Sequence, residues 1–270
     1  MGSYKADIKA CIVIPVYKGE LSHNEEISLQ QCLRILNQYD TYVIYPEGVK
    51  VDFGDKIKCI KVKSKYMASR RSYSDYVLSS EFYDTFKAYD YMLLYQLDAF
   101  VFEDRLMEFC DLKYDYIGAP WIYGMECHVL GKQLLYVGNG GFSLRRIEAF
   151  RQWIHGHSCD VANEKMFLLE DQVIASYGSR YLNIAPVETA LKFAFNLNPV
   201  ECYERNDKNL PFGCHGWYKF EKEFWKKQIE TLGYTVEETQ DSIYADGIDW
   251  SEGFKTVSYT HLRAHETDSY

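Results

Sequence analysis

No stretch of this chain approaches the ~20 consecutive apolar residues of a membrane span. No secretory leader is visible either: residues 1–9 are polar, and the apolar run that follows extends only from Ala10 to Val16. The eight cysteines, at positions 11, 32, 59, 110, 127, 159, 202 and 214, include no CxxC pair. Zinc and dithiol-redox signatures are therefore missing, and free thiols in a reducing compartment are expected rather than a disulfide framework. Cys11, Cys32 and Cys59 are expected on apolar faces of strands or helices. Positive charge is in deficit, with 30 Lys and Arg against 39 Asp and Glu and a net charge of −9. That argues against nucleic-acid binding, which needs a basic face. Internal repeats and linker-like tracts are absent. These gaps point to a cytoplasmic protein without a transmembrane segment, reaching the inner membrane face only by docking through a partner.

What is there is a globular composition, 47% hydrophobic and 26% charged over 270 residues, ample for a sizeable core. One domain over residues 1–256 is the economical reading. Aromatics reach 16%, with 24 Tyr; most belong in the core with the hydroxyl at its edge. Residues 257–267 back-translate to a transposase sequencing adapter read in frame. Residues 257–270 are therefore set aside as an artefactual tail, expected to be disordered, and His261 and His265 with them.

The pattern predicts a first strand at 9–17, then Ser22-His-Asn-Glu25 in the form of a capping box. Leu29, Cys32, Leu33 and Leu36 recur at helical spacing, so a helix runs to about Gln38. Strands follow at 41–45 and 57–62, then a helical stretch between 66 and 89. Residues 90–98, DYMLLYQLD, are a continuous apolar run ending in Asp98, read as a central parallel strand buried on both faces. Next come a short helix at 104–110, a strand at 114–118, a loop from Ala119-Pro-Trp121 to Gly131, and a strand at 134–137 entering Gly138-Asn-Gly-Gly141. Phe142-Ser143-Leu144 open a helix that buries Leu144, Ile147, Phe150 and Ile154. Another helix covers 164–177 with Glu170-Asp171 near its middle. A strand at 181–185, a loop at 211–217 and an amphipathic helix at 219–232, ended by Gly233, complete the chain. The alternation describes an α/β nucleotide-binding sandwich, its mostly parallel central sheet flanked by helices.

Four segments carry chemistry. Ligands of open α/β sheets bind outside the carboxyl ends of the strands, where Asp98 is stationed to hold a cation; alone, it is an ordinary turn residue. The glycines of 138–141 let backbone approach a ligand, although an isolated GNGG is a plain tight turn. Neighbours on a helix point about 100° apart. One of Glu170 and Asp171 can thus face a cleft as general base, the bland alternative being a solvated helix face. His215 is a divalent-metal ligand or a structural histidine, and Cys214 beside it makes no zinc signature. His155-Gly-His157-Ser-Cys159 lies past a helix end, where histidines are favourable cations.

In combination these segments resemble glycosyltransferases of the GT-A fold. More closely, Tyr95-Gln-Leu-Asp-Ala-Phe100, Tyr116-Ile-Gly-Ala-Pro-Trp121, Gly138-Asn-Gly-Gly-Phe-Ser-Leu-Arg145, Ala185-Pro-Val-Glu188 and Pro211-Phe-Gly-Cys-His-Gly-Trp217 are similar to a microbial GT-A-like family catalogued as a domain of unknown function. The resemblance covers roughly residues 12–225. It implies that Asp98 matches the last acid of the DxD motif that holds Mn²⁺ or Mg²⁺ on the donor diphosphate, with His215 as the second metal ligand. Gly138, Asn139, Gly140 and Gly141 match the loop lining the donor and acceptor pocket. Asp171 matches the base of inverting members and Glu170 its supporting neighbour. The chain departs from the pattern at Gln96, where the motif places its first acid; an amide there can bind a ribose hydroxyl.

The implied reaction moves a sugar from a nucleoside-diphosphate donor to the hydroxyl of a glycan or other acceptor, with inversion. Arg70, Arg71 and Lys65 precede the central strand and are candidates to reach the phosphates, a solvated basic face being the alternative. Two rivals stay open. A sugar nucleotidyltransferase needs a Gly-rich phosphate loop after the first strand, where Val16-Tyr-Lys-Gly-Glu-Leu21 has one glycine. A catalytically silent nucleotide- or glycan-binding module is suggested by Gln96.

Overall fold

The first apolar run forms β1 (Ala10–Pro15), buried along its whole length, as a strand covered on both faces must be. It pairs in parallel with β2 (Asp40–Pro46), which pairs in parallel with β3 (Lys58–Val62). On its other side it pairs in parallel with β4 (Tyr91–Tyr95). Then follow β5 (Ala99–Val101), β6 (Tyr116–Ile117), β7 (Pro120–Cys127), β8 (Gln133–Val137), β9 (Phe142–Arg146), β10 (Ala194–Phe195) and β11 (Gly213–His215). The main sheet has six strands in the order β3-β2-β1-β4-β9-β6, with β9 antiparallel to both neighbours. A second sheet orders β10-β11-β5, and β7 and β8 form a hairpin. This computed structural model describes residues 8–127 and 133–238. The set-aside tail and the end of the expected loop, residues 128–131, lie outside them.

Helices cover both faces of the main sheet. The first (His23–Ile35) starts at the expected capping box: Ser22 Oγ accepts from Glu25 N, and Glu25 Oε2 accepts from Ser22 N at 2.6 Å. Cys32 and Leu36 then pack with Ile12, Ile14, Leu93 and Phe109 on one face. On the other, Val13 and Leu94 meet Phe82, Phe86, Phe150 and Trp153. A third cluster, Phe100, Phe195, Trp217 and Trp225, lies beneath the helix Lys222–Glu230. Full burial of one such side chain contributes roughly 1.5–3 kcal/mol. Among the described residues no helix is long and apolar enough to cross a membrane.

Several local expectations are corrected by contacts that periodicity does not carry. Residues 120–127 are strand β7, not loop, because β8 supplies an antiparallel partner. Phe142-Ser143-Leu144 belong to β9, not to a helix: β4 and β6 pair with them from either side, and the helix starts at Ile147. The expected helix over 164–177 is broken by an exposed turn at Met166 and Phe167, so Glu170 and Asp171 sit in the first turn of Glu170–Ser176. The strand expected at 181–185 is reduced to a single bridge between Ile184 and Tyr116. Residues 213–215 are strand β11, paired with β5 and β10. All eight cysteines are free, but Cys59 is exposed, since β3 is an edge strand.

Candidate functional site at the carboxyl edge of the sheet

From β1 the chain moves outward through β2 and β3, then returns to place β4 on the other side of β1. Such a reversal leaves a crevice between the carboxyl ends of the two strands, the place where open α/β sheets bind ligands. A cleft lies there, lined by Pro15 at the end of β1 and Tyr17 beyond it, Arg70 and Tyr73, Asp98 after β4, and Lys219.

Backbone hydrogen bonds tie the chemistry-bearing segments together. Gln96 N donates to Gly141 O at 2.8 Å, and Gly216 N donates to Asp98 O at 2.8 Å. The antiparallel register of β5 and β11 sets Ala99 opposite His215. Consequently the side chains of Asp98 and His215, distant in sequence, meet: His215 Nε2 is 3.1 Å from Asp98 Oδ1 and 3.1 Å from Gln96 Oε1. Asp98 Oδ2 is 3.1 Å from the ammonium of Lys219. Burial of Asp98 opposes its ionisation, but His215 and Lys219 outweigh it and hold the carboxyl well below the usual range.

The glycine loop fits around these groups. Tyr116 donates to Asn139 O at 3.0 Å, and Asn139 takes the left-handed conformation, φ 67°. A β-carbon on Gly141 would lie 2.0 Å from His215 Nε2, and one on Gly140 would lie 1.6 Å from Glu170 Oε1. Both side chains thus lie directly on bare backbone, which only glycine permits. Glu170 is buried, and its Oε1 is 3.5 Å from NH2 of Arg145, itself wholly buried. Arg145 also donates to Tyr83 Oη at 3.1 Å and, through Nε, to Ser143 Oγ at 3.0 Å. Desolvation, with the neighbouring Asp171, raises the Glu170 pKa against the pull of Arg145 and Arg70. Asp171 is half-buried and accepts from Gln172 N at 2.9 Å.

The basic candidates separate. Arg70 lines the cleft. Arg71 donates to the carbonyls of Lys165 and Leu168, holding the turn before Glu170. The Lys65 ammonium lies 5.3 Å from the centre of the Tyr66 ring. Lys219, Asn196, Arg145 and Tyr73 are site residues that sequence reasoning missed. The available signal for Lys219 was Gly216, whose φ of 70° turns the chain back so that Lys219 returns to Asp98.

A divalent cation would need lone pairs from Asp98 and His215. Asn196 Nδ2, oriented by its 2.9 Å bond to His215 O, also donates to His215 Nδ1 at 3.1 Å. Asn139 Nδ2 lies 3.1 Å from the same nitrogen. With Nδ1 accepting, the ring proton sits on Nε2 and faces two acceptors. Asp98 therefore has one oxygen on an N–H and the other on an ammonium, and Gln96 adds only a neutral amide. Among the described residues no cluster of three His, Cys, Asp or Glu could hold a metal. In this arrangement the residues do not fit a divalent cation.

The architecture matches solved structures of low identity. Mouse xyloside xylosyltransferase 1, in its apo form, is 13% identical with a TM-score of 0.51, covering 77% of this chain and 98% of its own. The galactosyltransferase LgtC, in complex with donor and acceptor sugar analogs, is 12% identical with a TM-score of 0.48, covering 84% and 98%. The fold is that of GT-A glycosyltransferases. No curated protein matches the chain. A family profile described as a protein of unknown function (DUF5672) matches residues 56–215, spanning the central strand, the glycine loop, the acid pair and His215, and the chain belongs to that family.

Proposed function

We propose that this chain is a glycosyltransferase that moves a sugar from a nucleoside-diphosphate donor to a hydroxyl acceptor, with inversion at the sugar carbon. One observation carries the reading. Asp98, the glycine loop, Glu170 and His215 come from distant parts of the sequence and converge beside the crevice between β1 and β4. The fold shared with the mouse xylosyltransferase supports it.

In this reading the diphosphate lies in the cleft beside Arg70 and Lys219, with the apolar wall of Tyr17, Met67 and Tyr73 taking the base. Asn139 Oδ1, buried and without a hydrogen-bond partner among the described residues, accepts from a sugar hydroxyl, since a buried acceptor left unmade is costly. The acceptor oxygen forms its bond to the sugar carbon as the bond to the β-phosphate oxygen breaks. The electron pair leaves on the diphosphate, and the acceptor's proton passes to Asp171. Glu170, committed to Gly140 and Arg145, positions the loop and takes no proton.

Turnover of a panel of nucleotide sugars, read as nucleoside-diphosphate release with and without glycan acceptors, tests the proposal. Asp98→Ala abolishes transfer and Asp171→Asn lowers it by about 10²–10⁴, the usual cost of a lost general base, with both variants folded. Wild-type turnover in Asp171→Asn would remove the inverting assignment. Nucleotide binding without any turnover would leave a silent binding module.

A further inference from the structure

We infer that Lys219, anchored by Asp98, takes the place of the divalent cation on the donor diphosphate, so that the site binds its nucleotide without a metal. The inference rests on the glycosyl-transfer reading above.

Both oxygens of Asp98 are occupied from within the chain. In a metal site they would face the cation, yet here one faces the Nε2–H of His215 and the other the ammonium of Lys219, each at 3.1 Å. The His215 tautomer is not adjustable in isolation. Asn196 donates to His215 O at 2.9 Å, which fixes its amide, and the same nitrogen lies 3.1 Å from Nδ1. An Nδ1–H would collide with that N–H, so the lone pair stays on Nδ1 and Nε2 remains a donor. The position where an acid would add a second negative charge holds Gln96, whose Oε1 accepts from the same Nε2–H.

Charge follows the same logic. A divalent cation on Asp98 would stand beside an ammonium already within hydrogen-bond distance of the carboxylate, a repulsive arrangement in a partly desolvated cleft. Lys219 and Arg70 line that cleft with Asp98 and Glu25. Glu25, also on the wall, is met from outside the cleft by Lys18, 2.7 Å away. Lys219 has the reach and the chemistry for a phosphate. Its side chain is about one quarter exposed, at 25%, and an ammonium carries three donors. The one held by Asp98 fixes the nitrogen at the cleft, so an arriving phosphate meets a placed charge rather than a wandering side chain. Asp98 on this account is a positioning residue for a cation built into the chain.

Isothermal titration of the full-length protein with inorganic pyrophosphate, UDP, GDP and CDP tests this, each in excess chelator and again in Mg²⁺ or Mn²⁺. The expected result is binding in chelator within about two-fold of that in metal. Lys219→Met is expected to weaken it about ten- to hundred-fold, the usual range for a lost charge-assisted hydrogen bond, while Lys219→Arg restores most of it. A melting scan of each variant confirms that it is folded. Binding that appears only with Mg²⁺ or Mn²⁺ overturns the inference and leaves the glycosyltransferase reading standing. Metal-free binding that Lys219→Met retains also overturns it. Failure of every probe in both conditions overturns both.

Discussion

His215 Nε2 lies so close to Gly141 that a β-carbon on that glycine would stand 2.0 Å from it. The contact joins β11 to the loop before β9, and it makes the glycine loop a mould for the site rather than a turn. Gly141→Ala must push the imidazole away from Asp98 and Gln96. Overpacking of this kind costs about 1–3 kcal/mol, and nucleotide binding is expected to fall with it. Gly156→Ala is the control: a β-carbon there meets nothing within 4 Å and the residue is helical, so binding stays at the wild-type level and stability does not fall. Urea melts and titration calorimetry of both variants read the difference.

Tyr83→Phe removes the hydroxyl that accepts from Arg145 at 3.1 Å. Arg145 is wholly buried, so the lost bond to a charged group is expected to cost about 1.5–3 kcal/mol. The loss is expected in denaturant melts, with transfer activity impaired less than in Asp171→Asn, because the change acts on the loop's support. A neutral melt would mean that Gly140, Ser143 and Glu170 suffice to hold the guanidinium.

The raised pKa of Glu170 gives a pH signature. Desolvation and Asp171 favour its protonated form in the folded state, above the ordinary value of 4.5. Its contribution to stability is thus fully present below about pH 4.5 and declines as pH rises through the folded-state pKa. The difference in unfolding free energy, wild type minus Glu170→Gln, is expected to be most favourable in acid and to fall toward neutrality. A difference that rises over that interval would show that Arg145 dominates the carboxylate.

Ser22→Ala deletes the capping box of the first helix, where Glu25 N donates to Ser22 Oγ. The expected cost is about 0.5–2 kcal/mol. Chemical denaturation checks it.

Much of the fold is legible in the sequence where a local rule coincides with the tertiary structure. The Ser22–Glu25 box, the buried runs of β1 and β4, and Gly233 after the last helix all carry their own signals, and Asp98 stands where a strand end demands it. The chemistry-bearing segments are nameable because acids, glycines and histidine are rare in such settings. What stays hidden depends on partners. Phe142-Ser-Leu-Arg-Arg146 lies against the helix from Ile147 with Leu144 in helical phase, and only pairing with β4 and β6 makes it a strand. Arg145 carries no local signal of its role, yet it is the buried counter-ion of Glu170. Lys219 reads as the start of an amphipathic helix until the turn at Gly216 brings it to Asp98. β10 and β11 are too short for any periodicity to register.

The proposed chemistry requires that the crevice between β1 and β4 hold a nucleoside diphosphate. Thermal unfolding of the wild-type protein with UDP, GDP, CDP and ADP, one at a time, decides whether it does. A ligand that binds only the native state and is present at about 100 times its Kd stabilises by about 2.7 kcal/mol, which for a chain of this size raises Tm by about 5–10 °C. At least one of the four is expected to do so with wild type and not with Gly141→Ala. An unmoved Tm with all four at millimolar concentration would contradict the proposal.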